Sequence, residues 1–588
     1  MKKHYETHVE DTDKLISVAG PELDYKSWYE QYRKLMEEQA QRKYGLYTPT
    51  SEGDEDDFPS IPGMIARYSA LGLTNEQMKE NPVWVDKTGN GHGLQMKNLA
   101  WGGMSGVGGY EMNFNSWTNN VPSISDISMS KTTSSVSVSV GNSAYNNDLI
   151  YIHKNNWDVN KNHWLKVAST YEDGDLAFIF YNDKYTKKIE LPANGYANIP
   201  AYPEFKGSYM YISTTSNKQG SFTIEQLPLY PGALVFDGVD DYGTCNNFPI
   251  LTKEKGYTVV VLRQWDQDFL NTTLTGGLLS TRNYSTGEGV AFEKIESSNK
   301  GYWNLGAGGI IDFAKSPFTW QTSKQYNNVG ILKGDKNHGK PLCVGCGLSG
   351  GQQCGRFAIW ELVFLDHDAT EEELTKIKDY FVKTYPWLFP DQAWTVVGKT
   401  NEDEDRATIA NITGNGNDLI LSNFGFAEGS GYNEEGEYAG YLVTDGVDDK
   451  IISSVFKMGK DWTVIGDWEL INTGKNDNAG IVKFDSIVIY NYNYNSMLIN
   501  IKNGRNILIP DQNTVNAICS DGRIYSKDWK ESIYNEETES TSKNFLTIGY
   551  SGNTYTKIAF KNLAIYPTVL SREDCIKAYN YLQTLKAK

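Results

Sequence analysis

No run of about 18 consecutive apolar residues occurs in the 588-residue sequence, which excludes a helical membrane span. The opening, Met1-Lys2-Lys3-His4-Tyr5-Glu6-Thr7, is not followed by the apolar core of a secretory leader. Cations are scarce: Lys and Arg total 55 against 73 Asp and Glu, a net charge of −18. That deficit argues against a general nucleic-acid binder, which displaces counterions from phosphate with Lys and Arg, and equally against adsorption to anionic membranes. Histidine occurs only 7 times and cysteine 6 times, at 245, 343, 346, 354, 519 and 575. Cys343-x2-Cys346 followed by Cys354 has metal-like spacing, but no fourth ligand is evident. The reading is therefore free, buried thiols in a chain folded in a reducing cytoplasm.

What the chain has in quantity is turn and strand chemistry. Tyr (38), Trp (15) and Gly (55) are plentiful. Together with abundant Asn, Ser and Thr they predict many short strands joined by tight turns. Aromatic faces and Asn amides also suit sugar recognition, although any all-β protein shares the mixture. The first 59 residues differ. Tyr25, Trp28, Tyr29, Tyr32, Leu35 and Met36 recur at helical spacing behind a capping Asp24, predicting an amphipathic helix over Asp24–Tyr44. Thr50 to Asp57 then forms an acidic linker. Residues 1–59 are read as a helical anchor.

An internal repeat organises the remainder. Lys87–Leu94 reads Lys-Thr-Gly-Asn-Gly-His-Gly-Leu and Ile412–Leu419 reads Ile-Thr-Gly-Asn-Gly-Asn-Asp-Leu. Asn98–Trp101 and Ser105–Tyr110 are echoed by Asn423–Phe426 and Gly429–Tyr432. Leu234–Asp241, ending Asp-Gly-Val-Asp-Asp, matches Leu442–Asp449, and Gly256–Val260 matches Asp461–Ile465. Each copy closes with an apolar strand (Arg356–Phe364, Lys557–Tyr566) and a helix (Ala369–Tyr385, Ser571–Leu585) opened by a Ser/Thr cap. From Gly91 to Asp237 is 146 positions, against 29 from Gly416 to Asp445, so the first copy carries an insertion of 117 residues. Alternating and apolar runs at Ser134–Val140 and Ala177–Tyr181 make that insertion a small β-sandwich of its own. The domains are then 1–59, a discontinuous first module (60–114 and 231–392), an immunoglobulin-like insert (115–230) and a second module (393–588).

Leu234–Tyr242, Leu-Val-Phe-Asp-Gly-Val-Asp-Asp-Tyr, resembles the Asp-Gly-x-Asp-Asp-Tyr signature of concanavalin A-like lectin and laminin-G-like modules. The Thr-Gly-Asn-Gly segment and the closing strand and helix fit the same family. The resemblance implies a mainly β protein of two jelly-roll sandwiches. More narrowly, Gly103–Tyr110, the insert and Asn401–Thr408 resemble modules of virion proteins from phages of gut Bacteroidetes, including crAss-like phages. It implies a structural virion protein, a head or tail fibre or decoration component, assembled in the host cytoplasm and carried on the virion surface. Its partners would be other virion proteins, further copies of itself (a trimer is the usual fibre state) and host-surface polysaccharide. A purely architectural virion protein and a bacterial carbohydrate-binding or adhesion protein are the alternatives.

Two groups of acidic residues, Asp237, Asp240, Asp241 and Asp445, Asp448, Asp449, could begin a calcium shell. The competing reading is an Asp-Gly turn whose Asp bonds its own backbone, and it is the favoured one, so that no cofactor is expected. Thr88–Gly91 and Thr413–Gly416 are also turns, because no Lys-Ser/Thr follows as a phosphate loop requires. Tyr490 to Asn495 alternates Tyr with Asn, so a strand there would place Asn491, Asn493 and Asn495 in one polar row able to meet sugar hydroxyls. A glycosidase needs two carboxylates flanking the scissile bond. The strand segments Trp360-Glu361 and Trp468-Glu469 offer one each, no catalytic residues are assigned, and the expectation is a protein that is not an enzyme.

Overall fold

The computed structural model describes residues 57–119, 127–141, 149–152, 163–181, 186–199, 205, 209–214, 219–250, 257–270, 272–281, 291–294, 300–304, 309–312, 342–348, 352–427, 429–436, 438–471, 480–484, 487–493, 496–501, 505–509, 515–527, 529–533, 543–544, 546–551 and 554–587. The helix expected over Asp24–Tyr44 lies outside the described residues. The chain is mainly β, as its composition predicts.

Each copy of the repeat is built on one long closing strand. In the first copy Arg356–Leu365 pairs with Thr258–Trp265 along one side. Met64–Ser69 and Leu234–Asp237 share the other side end to end. In the second copy Ile558–Tyr566 is flanked in the same way by Thr463–Leu470, by Gln392–Thr395 and by Leu442–Val443. A second sheet faces each of these. It runs from Val83–Trp84 through Leu94–Lys97, Tyr242–Cys245 and Leu342–Val344 in the first copy, and from Thr408–Ile409 through Leu419–Ser422, Lys450–Ser453 and Leu546–Ile548 in the second.

The closing strands share an irregularity. Phe357, Ile359, Leu362 and Phe364 enter the first sandwich core, and Ile558, Phe560, Leu563 and Ile565 enter the second. Strict alternation slips by one residue in each strand. The cause is a β-bulge in each closing strand, with Trp360 the extra residue opposite Leu262–Arg263 and Lys561 the extra residue opposite Asp467–Trp468. The slip turns Glu361 and Asn562 outward, beneath the helices that follow. Those helices are α1 (Glu371–Thr384) and α2 (Arg572–Gln583). Thr370 and Glu373 complete a reciprocal capping box on α1, and Ser571 accepts from Asp574 N–H at the start of α2.

The insert has two antiparallel five-stranded sheets. Its ten strands run in sequence from Thr118–Asn119 to Gly220–Gln226, and counting along them the sheet orders are seven-six-nine-four-one and eight-five-ten-three-two. The last eight strands, four in each sheet, thus connect as two Greek keys, which is jelly-roll topology rather than the expected immunoglobulin-like one. Strand-type residues alone do not distinguish the two, because both bury alternate side chains between two sheets.

One apolar cluster joins the three sandwiches. Trp164 of the insert, Tyr230 and Trp360 of the first copy, and Trp529, Tyr566, Tyr579 and Tyr581 of the second are all buried in it. Tyr579 stands 5.0 Å from Trp164 and 5.6 Å from Trp529, and Tyr581 stands 6.1 Å from Trp360. Helix α2 therefore covers its own sheet and at the same time fills the junction. Gln264 Nε2 donates to Thr584 Oγ1 at 2.9 Å, and Lys586 pairs with Asp268, across the same boundary.

The cysteines differ from expectation in part. Cys245, Cys343, Cys519 and Cys575 are free and buried, but Cys346 and Cys354 form a disulfide, directly opposite each other in a hairpin. Their separation of 8 residues reads as loop or metal spacing in sequence. Only strand pairing brings the two sulfurs together.

Candidate functional site

The repeated Asp-Gly-Val-Asp-Asp block forms the same hydrogen-bonded turn in both copies. Leu234–Asp237 ends at Gly238, whose φ of +77° suits glycine, and Gly446 has the same φ of +77°. A Cβ on Gly238 would lie 2.8 Å from Arg356 Cβ. Val239 N–H donates to Asp237 Oδ1 at 2.7 Å, and Val447 N–H to Asp445 Oδ1 at 2.7 Å. The last aspartate of each block closes the turn from inside. Asp241 Oδ2 accepts from Asp237 N–H at 3.0 Å and its Oδ1 from Ser105 Oγ at 3.0 Å. Asp449 repeats this with Asp445 N–H at 2.7 Å and Ser430 Oγ at 3.1 Å. The serines in turn accept from Ala100 N–H and Gly425 N–H. Asn98 and Asn423, at φ 66° and 69°, donate to Asp240 O and Asp448 O at 3.0 Å. Sequence blocks over a hundred positions apart in the first copy thus meet in one network.

Burial sets the electrostatics of these turns. It pushes the Asp241 carboxyl up to about 7 and the Asp449 carboxyl up to about 6, against the lowering effect of their hydrogen bonds. Asp240 and Asp448 are exposed, and so are Val239 and Val447 at the tips. The three carboxylates of each block offer oxygens within 4.8 Å of one another. Calcium, however, draws on six to eight oxygens of ionised or carbonyl groups. Here both oxygens of the innermost aspartate already accept bonds that form the turn, and its proton affinity is raised. The residues fit a turn better than a calcium shell.

The Thr-Gly-Asn-Gly segments are turns of equal regularity. Asp86 Oδ1 accepts from Thr88 N–H and Thr88 Oγ1, and Asn411 Oδ1 accepts from Thr413 N–H and Thr413 Oγ1. Of the polar row, Asn491 and Asn493 lie on the strand Ile487–Asn493, opposite Met497 and Ser496 of the next strand, with a register shift between them. Asn495 lies outside the described residues.

The two strand carboxylates have partners within the chain. Glu361 is fully buried. Its Oε2 accepts from Arg67 Nε at 3.1 Å, and its Oε1 from Arg67 Nη2 at 3.2 Å and Tyr385 OH at 2.8 Å. Arg67 also donates to Tyr380 OH at 2.9 Å and lies over the Phe58 ring. Burial raises the Glu361 carboxyl, and Arg67 opposes that. The corresponding outward position of the second copy is Asn562, opposite Thr395 and Asp467, so the ion pair belongs to the first copy. Glu469 pairs with Lys527. The sequence reading missed Arg67 as the partner of Glu361, since 294 positions separate them.

No family model and no curated protein matches the chain. Solved structures do. A Trypanosoma rangeli sialidase in complex with sialic acid is 9% identical over 79% of this chain and 85% of that one, with a TM-score of 0.24. The binding domain of botulinum neurotoxin serotype D is 12% identical over 59% of this chain and 89% of that one, with a TM-score of 0.23. The receptor binding domain of botulinum neurotoxin type G is 13% identical over 32% of this chain, with a TM-score of 0.21, and the chain spans 50% of its length. At such TM-scores these likenesses carry no argument about what the chain does.

Proposed function

We propose that this chain is a binding protein of a bacteriophage particle, a head or tail fibre or decoration component whose jelly rolls attach to glycan on the host surface. The phage assignment rests on the sequence resemblance. The observation that carries binding over hydrolysis is the internal engagement of Glu361 by Arg67 and Tyr385 and of Glu469 by Lys527. These strand carboxylates serve the fold, which supports attachment over hydrolysis by this pair. Shallow sites on jelly rolls bind weakly one at a time, and copies on one particle add by effective concentration. The shared core at α2 supports this reading by holding the sandwiches as one presenting body. The disulfide Cys346–Cys354 supports a protein that meets an oxidising exterior after assembly in the host cytoplasm. Its partners are then neighbouring virion proteins, other copies of the chain and host polysaccharide.

The test is binding of labelled full-length protein to encapsulated and capsule-free Bacteroidetes cells. Capsule-dependent binding is the expected result. Folded, assembled protein that binds neither would overturn glycan attachment and leave the architectural reading, in which the sandwiches are packing units alone.

A further inference from the structure

The two copies treat one hairpin position in opposite ways. In the first, Cys346 stands opposite Cys354 and the pair is disulfide-bonded and buried. In the second, Tyr550 stands opposite Tyr555. The flanking backbone shows that the positions correspond. Gly345 and Gly549 precede them with φ of 102° and 73°. Gly355 N–H donates to Gly345 O, and Thr556 N–H to Gly549 O, each at 2.9 Å. Where the first copy is stapled shut, the second leaves two half-buried rings, 5.2 Å apart and inclined by 38°.

A cation completes the patch. Lys450, directly after the Asp445–Asp449 turn, holds Nζ 5.0 Å from the Tyr550 ring centre and 5.7 Å from that of Tyr555. Among the described residues its ammonium makes no ion pair, and neither tyrosine hydroxyl makes a hydrogen bond. The nearest carboxylate in sequence, Asp449, is spent on Asp445 N–H and Ser430. An unpaired cation is unexpected in a chain of net charge −18. Set against aromatic rings it is partly stripped of water, which strengthens its pull on an anion.

We propose that Tyr550, Tyr555 and Lys450 form a subsite for a carboxylate-bearing pyranose of an acidic polysaccharide. The apolar C–H face of the sugar packs on the tyrosine rings, its carboxylate pairs with the Lys450 ammonium, and its hydroxyls bond the two phenols. At the matching hairpin the first copy, closed by its disulfide, presents no ring pair among the described residues, only Lys97 over the single Tyr242 ring at 5.7 Å, so recognition is asymmetric between the modules. The inference rests on the glycan reading above and names its ligand class.

The experiment is surface plasmon resonance of the intact chain over immobilised oligogalacturonate and, in parallel, neutral galacto-oligosaccharide. Wild type binds the acidic ligand preferentially. Lys450→Met weakens that binding about tenfold, the loss of one charge-assisted contact of about 1.4 kcal/mol, and abolishes the preference, whereas Lys450→Arg keeps it. The paired Tyr550→Phe and Tyr555→Phe variant, which preserves the rings, loses less than the paired Ala variant. Melting curves of each variant check that it is folded. If wild type binds acidic glycan and every folded variant binds as well, the subsite is wrong and the glycan reading stands. Equal binding to both ligands, unaffected by Lys450→Met, overturns the carboxylate assignment. No binding to either ligand overturns the subsite and the glycan reading together.

Discussion

Raising the pH from 5 to 8 should destabilise this protein through its two buried turn aspartates. In an unfolded chain an aspartate titrates near 4. Burial lifts Asp241 to about 7 and Asp449 to about 6 in the folded protein. Between pH 4 and those values the folded state holds protons that the unfolded state has released, so stability falls as pH rises, and it levels off above about 7. At 1.36 kcal/mol per pH unit, the fall from pH 5 to pH 8 is about 3 kcal/mol from Asp241 and about 1 kcal/mol from Asp449. For a first module of 150–250 residues the Asp241 share alone corresponds to roughly 6–12 °C in Tm, and a larger cooperative body shifts less. The assay is thermal unfolding at pH 5, 6, 7 and 8 in EDTA, comparing wild type with Asp241→Asn. The amide preserves shape, can still accept from Asp237 N–H and can donate to Ser105 Oγ, yet it does not titrate. The variant should lose most of the pH slope. An unchanged slope would refute the reasoning. A rise of several degrees in wild type on adding millimolar calcium at pH 8 would refute the turn reading in favour of a metal site.

Three further outcomes follow from the packing. Gly238→Ala places a Cβ 2.8 Å from Arg356 Cβ at a φ of +77° and should cost about 1–3 kcal/mol, read as a lower denaturant midpoint at unchanged m-value. Tyr581→Ala empties the junction beside Trp360 and should cost about 3–5 kcal/mol, with calorimetry showing the single transition of a joined body split into separate ones. Arg67→Met leaves Glu361 buried without its counter-charge and should destabilise the first module by about 3–5 kcal/mol, more than Lys383→Met at the exposed Lys383–Asp57 pair, as chemical denaturation would measure.

The sequence by itself determined the features that act over a few residues. Asp237 and Asp241, four positions apart, close one turn, and Thr370 caps a helix three residues before Glu373. Such contacts need no distant partner, so their residue pattern suffices, and their duplication reveals two modules and an insertion. Even the tyrosine pair left a local trace in Tyr550–Tyr555, a Gly-Asn dipeptide between two aromatics, though nothing local said that a lysine from another strand would lie over it. Only the tertiary structure decided which surfaces meet. The insert's strands carry the same alternation whether they join as Greek keys of a jelly roll or as an immunoglobulin sandwich, because burial of alternate side chains does not depend on which neighbour supplies the hydrogen bonds. Tyr579 and Tyr581 lie within the closing helix that the Ser571 cap announces, on different sides of it. That they also meet Trp164 and Trp360 depends on three sandwiches docking at one place, and no periodicity within any one of them records it.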